Sequence, residues 1–194
     1  WPILHGIILN TRPARSARKY ASIWTDEGSP LMANSVRQAA LLRDVLAARG
    51  HRIEVVLAMR YGEPSIAQGL EALKALNVTR LLVLPLYPQY SASTTATVFD
   101  EVARVLRGWR NLPELRVVRG FHDDDGYLDA LASRIREAWA RDGRGERLVM
   151  SFHGVPRRTL ELGDPYHCEC HATARRLAQR LGLSRGEWLV TFQS

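Results

Sequence analysis

The sequence predicts an α/β protein built on a parallel sheet with helices on both faces. Apolar runs of strand length alternate with segments whose apolar residues recur at helical spacing. The runs are nearly unbroken, as in strands buried on both faces, rather than alternating with polar residues. Proline and glycine stand at several joints between the two kinds of segment.

Taken in order, Val36, Ala39, Leu42, Val45 and Leu46 share one face of a helix that Gly50 stops. Arg52–Met59 reads as a strand, and Pro64–Leu76 as a helix with proline near its first turn. Arg80–Tyr87 is the most apolar strand. Ser93 or Thr94 caps the next helix, which carries Val98, Val102, Val105, Leu106 and Trp109 on its apolar side. Leu115–Val118 is a short strand. Tyr127, Leu128, Leu131, Ile135, Ala138 and Trp139 mark another helix, and Arg147–Phe152 another strand. Leu177, Ala178 and Leu181 belong to a helix closed by Gly182, and Glu187–Phe192 starts a last strand. The polar stretch RDGRGERL, Arg141–Leu148, marks a boundary between an N-terminal α/β half over residues 1–141 and the start of a second over residues 142–194.

Composition narrows the function classes. Hydrophobic residues make up 46% and charged residues 24%, an ordinary balance for a chain with a real core. No apolar stretch is long enough to span a bilayer, and no signal peptide is evident. The opening WPILHGIILN is apolar but short, and fits a core or a membrane surface. Lys and Arg number 27 against 20 Asp and Glu, a net charge of +7. The densest basic cluster, Arg12, Arg15, Arg18 and Lys19, has no aromatic ladder beside it, so solvated helix faces account for the charge better than nucleic acid does. Cys168 and Cys170 are one residue apart and make no disulfide framework, which points to a reducing cytoplasm. The sequence does not open on Met, and its last strand ends at VTFQS without a covering helix, so residues are expected beyond both ends.

In open parallel sheets, ligands sit beyond the carboxyl ends of the strands. Three such ends carry unusual polar sets: Arg60, Tyr61 and Gly62; Tyr87, Pro88, Gln89, Tyr90 and Ser91; and His153, Gly154 and Pro156 in SFHGVP. Together they outline a cleft for a large flat ligand with hydroxyl and cation contacts at its rim. Each residue also has a structural reading. Arg60 suits a surface ion pair, Tyr87 and Tyr90 suit a sheet edge, and His153 suits a satisfied strand-end histidine. Gly154 favours function for His153, because a glycine there admits a ligand close to the backbone. No phosphate-binding loop or nucleophile elbow is present. HDDDG, His122–Gly126, reads as helix capping rather than a metal cluster. YHCECHAT offers His167, Cys168, Cys170 and His171 to a soft metal, but helical geometry sends the two cysteines to opposite faces.

These strings, in this order and spacing, resemble the bacterial ferrochelatases: YASIWTDEGSPL, AMRYGEPSI, LPLYPQYSASTT, SFHGVP, GDPY and TFQS. The resemblance implies a chelatase-like fold of two similar Rossmann-like α/β halves, the second incomplete here, with a porphyrin cleft between them. It implies insertion of ferrous iron into protoporphyrin or coproporphyrin in haem synthesis. His153 then matches the family histidine that serves as iron ligand, proton acceptor or both. Arg60 and Tyr61 match the cleft-facing Arg-Tyr pair, Ser29 the serine near porphyrin, and Tyr20 the tyrosine before it. Tyr87 and Gln89 are placed with the porphyrin contacts by their strand end. Fe2+ is then a substrate and no cofactor is required. Members with an iron–sulfur cluster carry Cys where Ala92 stands, so a cluster of that type is not expected. The family's opening strand, its glycine turn and the segment bearing the acidic partner of the histidine are not in the sequence. Expected partners are porphyrin and ferrous iron, with a peripheral membrane contact and no nucleic acid. A binder of porphyrin or haem without catalysis is the alternative.

Overall fold

A computed structural model describes residues 24–26 and 28–193. Tyr20 and the basic cluster at Arg12, Arg15, Arg18 and Lys19 lie outside them. The chain divides into two compact units, Trp1–Leu73 and Lys74–Ser194.

In the first unit, helix α1 spans Pro30–Ala48, with Ser29 at its N-cap and proline in its first turn. Its end is closed in the way the glycine predicts. Gly50 takes φ 78°, its N–H donates to Ala47 O at 2.9 Å, and His51 N donates to Leu46 O at 3.0 Å. This pair of bonds is the Schellman closure. Arg43 Nη2 then holds the departing chain through Val55 O at 2.8 Å. The stripe expected to be buried finds little cover among the described residues: Val36, Leu42 and Val45 are exposed.

Among the described residues, the strand expected over Arg52–Met59 finds no partner strand. A strand exists by its ladder, and among the described residues only an isolated parallel bridge, Met59 with Ser65, supplies one. Helix α2, Ile66–Ala75, follows and buries Ile66, Gly69 and Leu70. Gly69 lets the preceding segment approach, since a Cβ there would lie 3.1 Å from Ala58 Cβ.

The second unit holds two parallel strand pairs. Strand β1, Arg80–Val83, pairs with β2, Glu114–Val117, in the register Leu81 to Leu115. Strand β1 stops short of the expected Tyr87 because Pro85 has no N–H to continue a ladder. Helix α3, Thr95–Leu106, links the pair and buries Val98, Val102 and Leu106 at helical spacing. Thr94 sits at its N-cap without a side-chain cap bond. Ser91 O instead accepts from Thr94 N and Ala96 N, each at 3.2 Å.

Strand β3, Leu148–His153, pairs in parallel with β4, Trp188–Gln193, so that Phe152 lies beside Phe192 and His153 beside Gln193. Helix α4 (Asp125–Asp142), the short α5 (Arg157–Glu161) and α6 (Tyr166–Arg180) complete the unit. Asp124 caps α4, accepting from Tyr127 N at 3.0 Å, as the HDDDG motif predicts. Asp125 and Asp129 pair with Arg180 of α6. The core under β3 is Leu128 and Ala132 of α4, Met150 of β3, and Ala174, Leu177 and Ala178 of α6. Parallel strands joined through helices make the chain α/β, as expected.

Candidate active site at the strand ends

His153 is the last residue of β3, and its side chain is exposed. Its backbone is fixed on both sides. Gly154 N donates to Gln193 O at 2.5 Å, which carries the ladder one step past the histidine. A Cβ at Gly154 would lie 3.3 Å from that same Gln193 oxygen, so the glycine answers to the neighbouring strand. The Tyr166 hydroxyl, at the start of α6, interacts with the His153 backbone and with the Cys170 thiol. Burial, then Cys170, pushes the Tyr166 hydroxyl up to about 12. Burial likewise pushes the Cys170 thiol up to about 11. Both groups are therefore protonated near neutral pH and act as neutral hydrogen-bonding packing beneath the histidine.

The loop after β1 is tied to the same helix by two carboxylates. Asp164, in the turn before α6, accepts from Ser91 Oγ at 3.0 Å and Ala92 N at 2.8 Å through one oxygen. Its other oxygen accepts from Tyr166 N at 3.0 Å. Because Ser91 spends its proton on Asp164, Ser93 Oγ must donate in the 3.0 Å contact between the two serines. Glu169, buried on α6, accepts from Tyr90 N at 2.7 Å and from Arg119 Nη1 at 3.1 Å, and faces His122 Nδ1 at 3.4 Å. The Arg119 guanidinium also lies over the Tyr90 ring, 4.3 Å from its centre. Gly120 allows this arrangement: a Cβ there would come within 3.0 Å of Pro88 O.

Gln89 is 8% exposed and donates to Thr173 Oγ1 of α6 at 2.9 Å. It also bonds the Tyr127 hydroxyl, opposing the burial that raises that group's pKa. Thr173 in turn donates to His122 O at 2.8 Å. Tyr87 is exposed on the same loop. Gln89, through Thr173, and the His153 backbone, through Tyr166, both meet α6. Ser29, Arg60 and Tyr61 belong to the first unit. There the Arg60 guanidinium lies over the Tyr61 ring at 4.7 Å, and Tyr61 is 71% exposed. Tyr20 lies outside the described residues.

Sequence reasoning gave Asp164, Glu169, Tyr166 and Thr173 no role. One signal was available for two of them. Glu169 and Thr173 fall on the buried stripe of α6, with Cys170, Ala174, Leu177 and Ala178, and a polar residue on such a stripe needs a partner.

The YHCECHAT motif divides as helical geometry requires. Cys168 is exposed and Cys170 buried, and among the described residues no group of three or more metal-ligating side chains converges. The two histidines do meet, with ring centres 4.6 Å apart. His167 stacks on Phe192 of β4 at 5.0 Å and 20°, and His171 lies 5.6 Å from the same ring. Burial, then His167 and Arg175, hold the His171 pKa below the ordinary imidazole value.

A parallel α/β fold whose strands are joined through helices defines a Rossmann-like class, in which ligands commonly sit beyond the strand ends. The ferrochelatase sequence profile matches residues 1–194, so the chain belongs to the ferrochelatase family. It is 62% identical over 193 residues to the ferrochelatase of Azoarcus sp. strain BH72 and 60% identical over 194 residues to that of Polaromonas sp. strain JS666. The protein of that name from Nitrosococcus oceani is 56% identical over 194 residues. Each alignment covers all of this chain and 53% of the relative, so the chain spans about half the length of the curated relatives it matches. Among the described residues no helix is long and apolar enough to cross a membrane.

Proposed function

We propose that the chain provides the metal-inserting half of a ferrochelatase, placing ferrous iron into a dicarboxylic porphyrin to make haem. The observation that carries this reading is the exposed His153 imidazole at the carboxyl end of β3, on a backbone fixed by β4 and Tyr166. The relatives' name supplies the reaction.

The chemistry asks for such a group. A free-base porphyrin releases two pyrrole protons as Fe2+ enters, so the products are the iron porphyrin and two protons. A neutral imidazole accepts a proton near neutral pH and also ligates ferrous iron. One nitrogen cannot do both at once, so in this reading His153 performs the roles in succession or shares them with another group. A planar macrocycle holds its lone pairs in the ring plane, and contacts distant from the metal supply the bending that exposes them. Tyr20, Ser29, Arg60, Tyr61 and Tyr87 are the proposed porphyrin contacts, with Arg60 suited to a propionate. Gln89 is proposed to serve the substrate through the loop it ties to α6. The two-half reading, residues 1–141 and 142–194, is supported by the β1–β2 and β3–β4 pairs falling on either side of that line. Helix α4 precedes the line yet shares its core with β3 and α6. In this reading Fe2+ is substrate, no cofactor is required, and no iron–sulfur cluster is held at Ala92. The protein works in the cytoplasm, with a peripheral membrane contact and no nucleic acid.

The test is anaerobic spectroscopy of porphyrin and ferrous iron with the chain lengthened at both ends to its relatives' span. Metalloporphyrin bands are expected to grow in. His153→Ala is expected to abolish them while the free-base porphyrin spectrum still shifts on binding. Full insertion by His153→Ala would remove the histidine from the chemistry. Binding without turnover by the unsubstituted protein would make it a porphyrin carrier.

A further inference from the structure

We propose that His167 and His171 form a second metal site, a two-imidazole surface chelate for a divalent transition ion, separate from His153. Residues four apart on a helix share a face, and two imidazoles so placed converge on one ion. An ion bonded to two imidazoles at about 2.1 Å holds the nitrogens roughly 3 Å apart. Ring centres 4.6 Å apart and tilted by 60° are compatible with ring edges at that separation.

Two further observations support a site rather than a chance pair. Both rings are braced by one residue: Phe192 stacks under His167 at 5.0 Å and touches His171 at 5.6 Å. A chelate whose rings are already ordered loses less entropy on binding. Neither imidazole is engaged in a hydrogen bond among the described residues, while His171 is exposed and His167 half-buried. Cys170 is buried, which leaves the two imidazoles as the nitrogen donors this face offers. Nitrogen donors of this kind select late first-row divalent ions, with Cu2+ held most tightly, and water completes the coordination sphere. Phe192 pairs with Phe152 in the β3–β4 register, so the site lies one ladder step from the His153–Gln193 pair. Its existence does not depend on what His153 does.

The probe is Cu2+ added to the chain as it stands. Equilibrium titration should show an ion bound with nitrogen hyperfine splitting from two imidazoles in its electron-spin spectrum. His167→Gln and His171→Gln should each weaken that binding by at least about tenfold, the lower end of what disturbing a metal's surroundings costs. His153→Ala should leave it intact. Because either glutamine variant could unsettle α6, a second measurement uses the unsubstituted chain. Substoichiometric Cu2+ should broaden the proton resonances of His167, His171 and the Phe192 ring first. Unchanged affinity in both folded glutamine variants overturns the proposal, as does broadening that starts at His153 and spares Phe192.

Discussion

At the scale of single residues, the second unit depends on a few side chains with no spare room. Leu128 is 0% exposed and sits among Met150, Ala174 and Leu177. Leu128→Ala removes that contact and leaves a cavity between α4, β3 and α6, a change that costs about 2–5 kcal/mol. Urea unfolding should show it as a lower midpoint with an unchanged slope. Glu187 gives a residue-scale pH dependence. It accepts from the Ser184 amide at 2.8 Å and from its hydroxyl at 2.7 Å, and these bonds, with Arg144, hold its carboxyl below the usual range. A depressed folded pKa adds stability above the unfolded value, roughly pH 4, and that contribution disappears as pH falls through the folded value. Glu187→Gln should therefore narrow its stability deficit to the unsubstituted chain as unfolding is followed from neutral pH into acid. A deficit that stays constant would contradict the assignment. His153 was legible as a strand end because a polar residue closing an apolar run stands out, whereas Tyr87 falls beyond the end of β1. Asp164 was not, because its partners lie 72 and 73 residues away in sequence.

Among the elements, periodicity located the helices other than the short α5, together with the second strand pair, and failed where pairing or a backbone donor decided the outcome. Strands β3 and β4 lie within a residue of the expected spans because turn chemistry brackets both runs. The Arg52–Met59 run has the right residues, but a ladder requires a second strand, which periodicity cannot report. Strand β1 ends early at a residue visible in the sequence, Pro85, whose missing N–H outweighs its apolar neighbours. The most informative element is α6, which carries the buried stripe, the Tyr166 hydroxyl and, in Glu169, one of the two carboxylates that hold the β1 loop. Asp164→Ala deprives the Ser91 hydroxyl and the Ala92 and Tyr166 amides of their acceptor. The expected cost is about 1–3 kcal/mol, the penalty for leaving such groups unpaired. Amide hydrogen exchange should show it as faster opening of residues 90–94, with α4 unaffected. Uniform acceleration across the unit would mean that Asp164 serves global stability instead.

For the molecule as a whole, fold class and family were both legible, the first from strand–helix alternation and the second from six short strings in sequence order. The network around α6 was not, because it rests on contacts no local pattern encodes. The proposed activity makes a prediction at this scale. The chain covers 53% of its relatives, and the proposed chemistry gives His153 an acidic partner outside residues 1–194. Iron insertion is therefore expected from the chain lengthened at both ends and not from residues 1–194 alone. Equal rates for the two would show that the histidine needs no such partner. The carboxylate clamp of α6 has a bearing on the order of assembly during synthesis. The β1 loop leaves the ribosome long before the helix that shapes it, and closing so distant a contact is entropically slow. A nascent chain can therefore pair β1 with β2 early, whereas the loop after β1 takes its final shape only after α6 has docked.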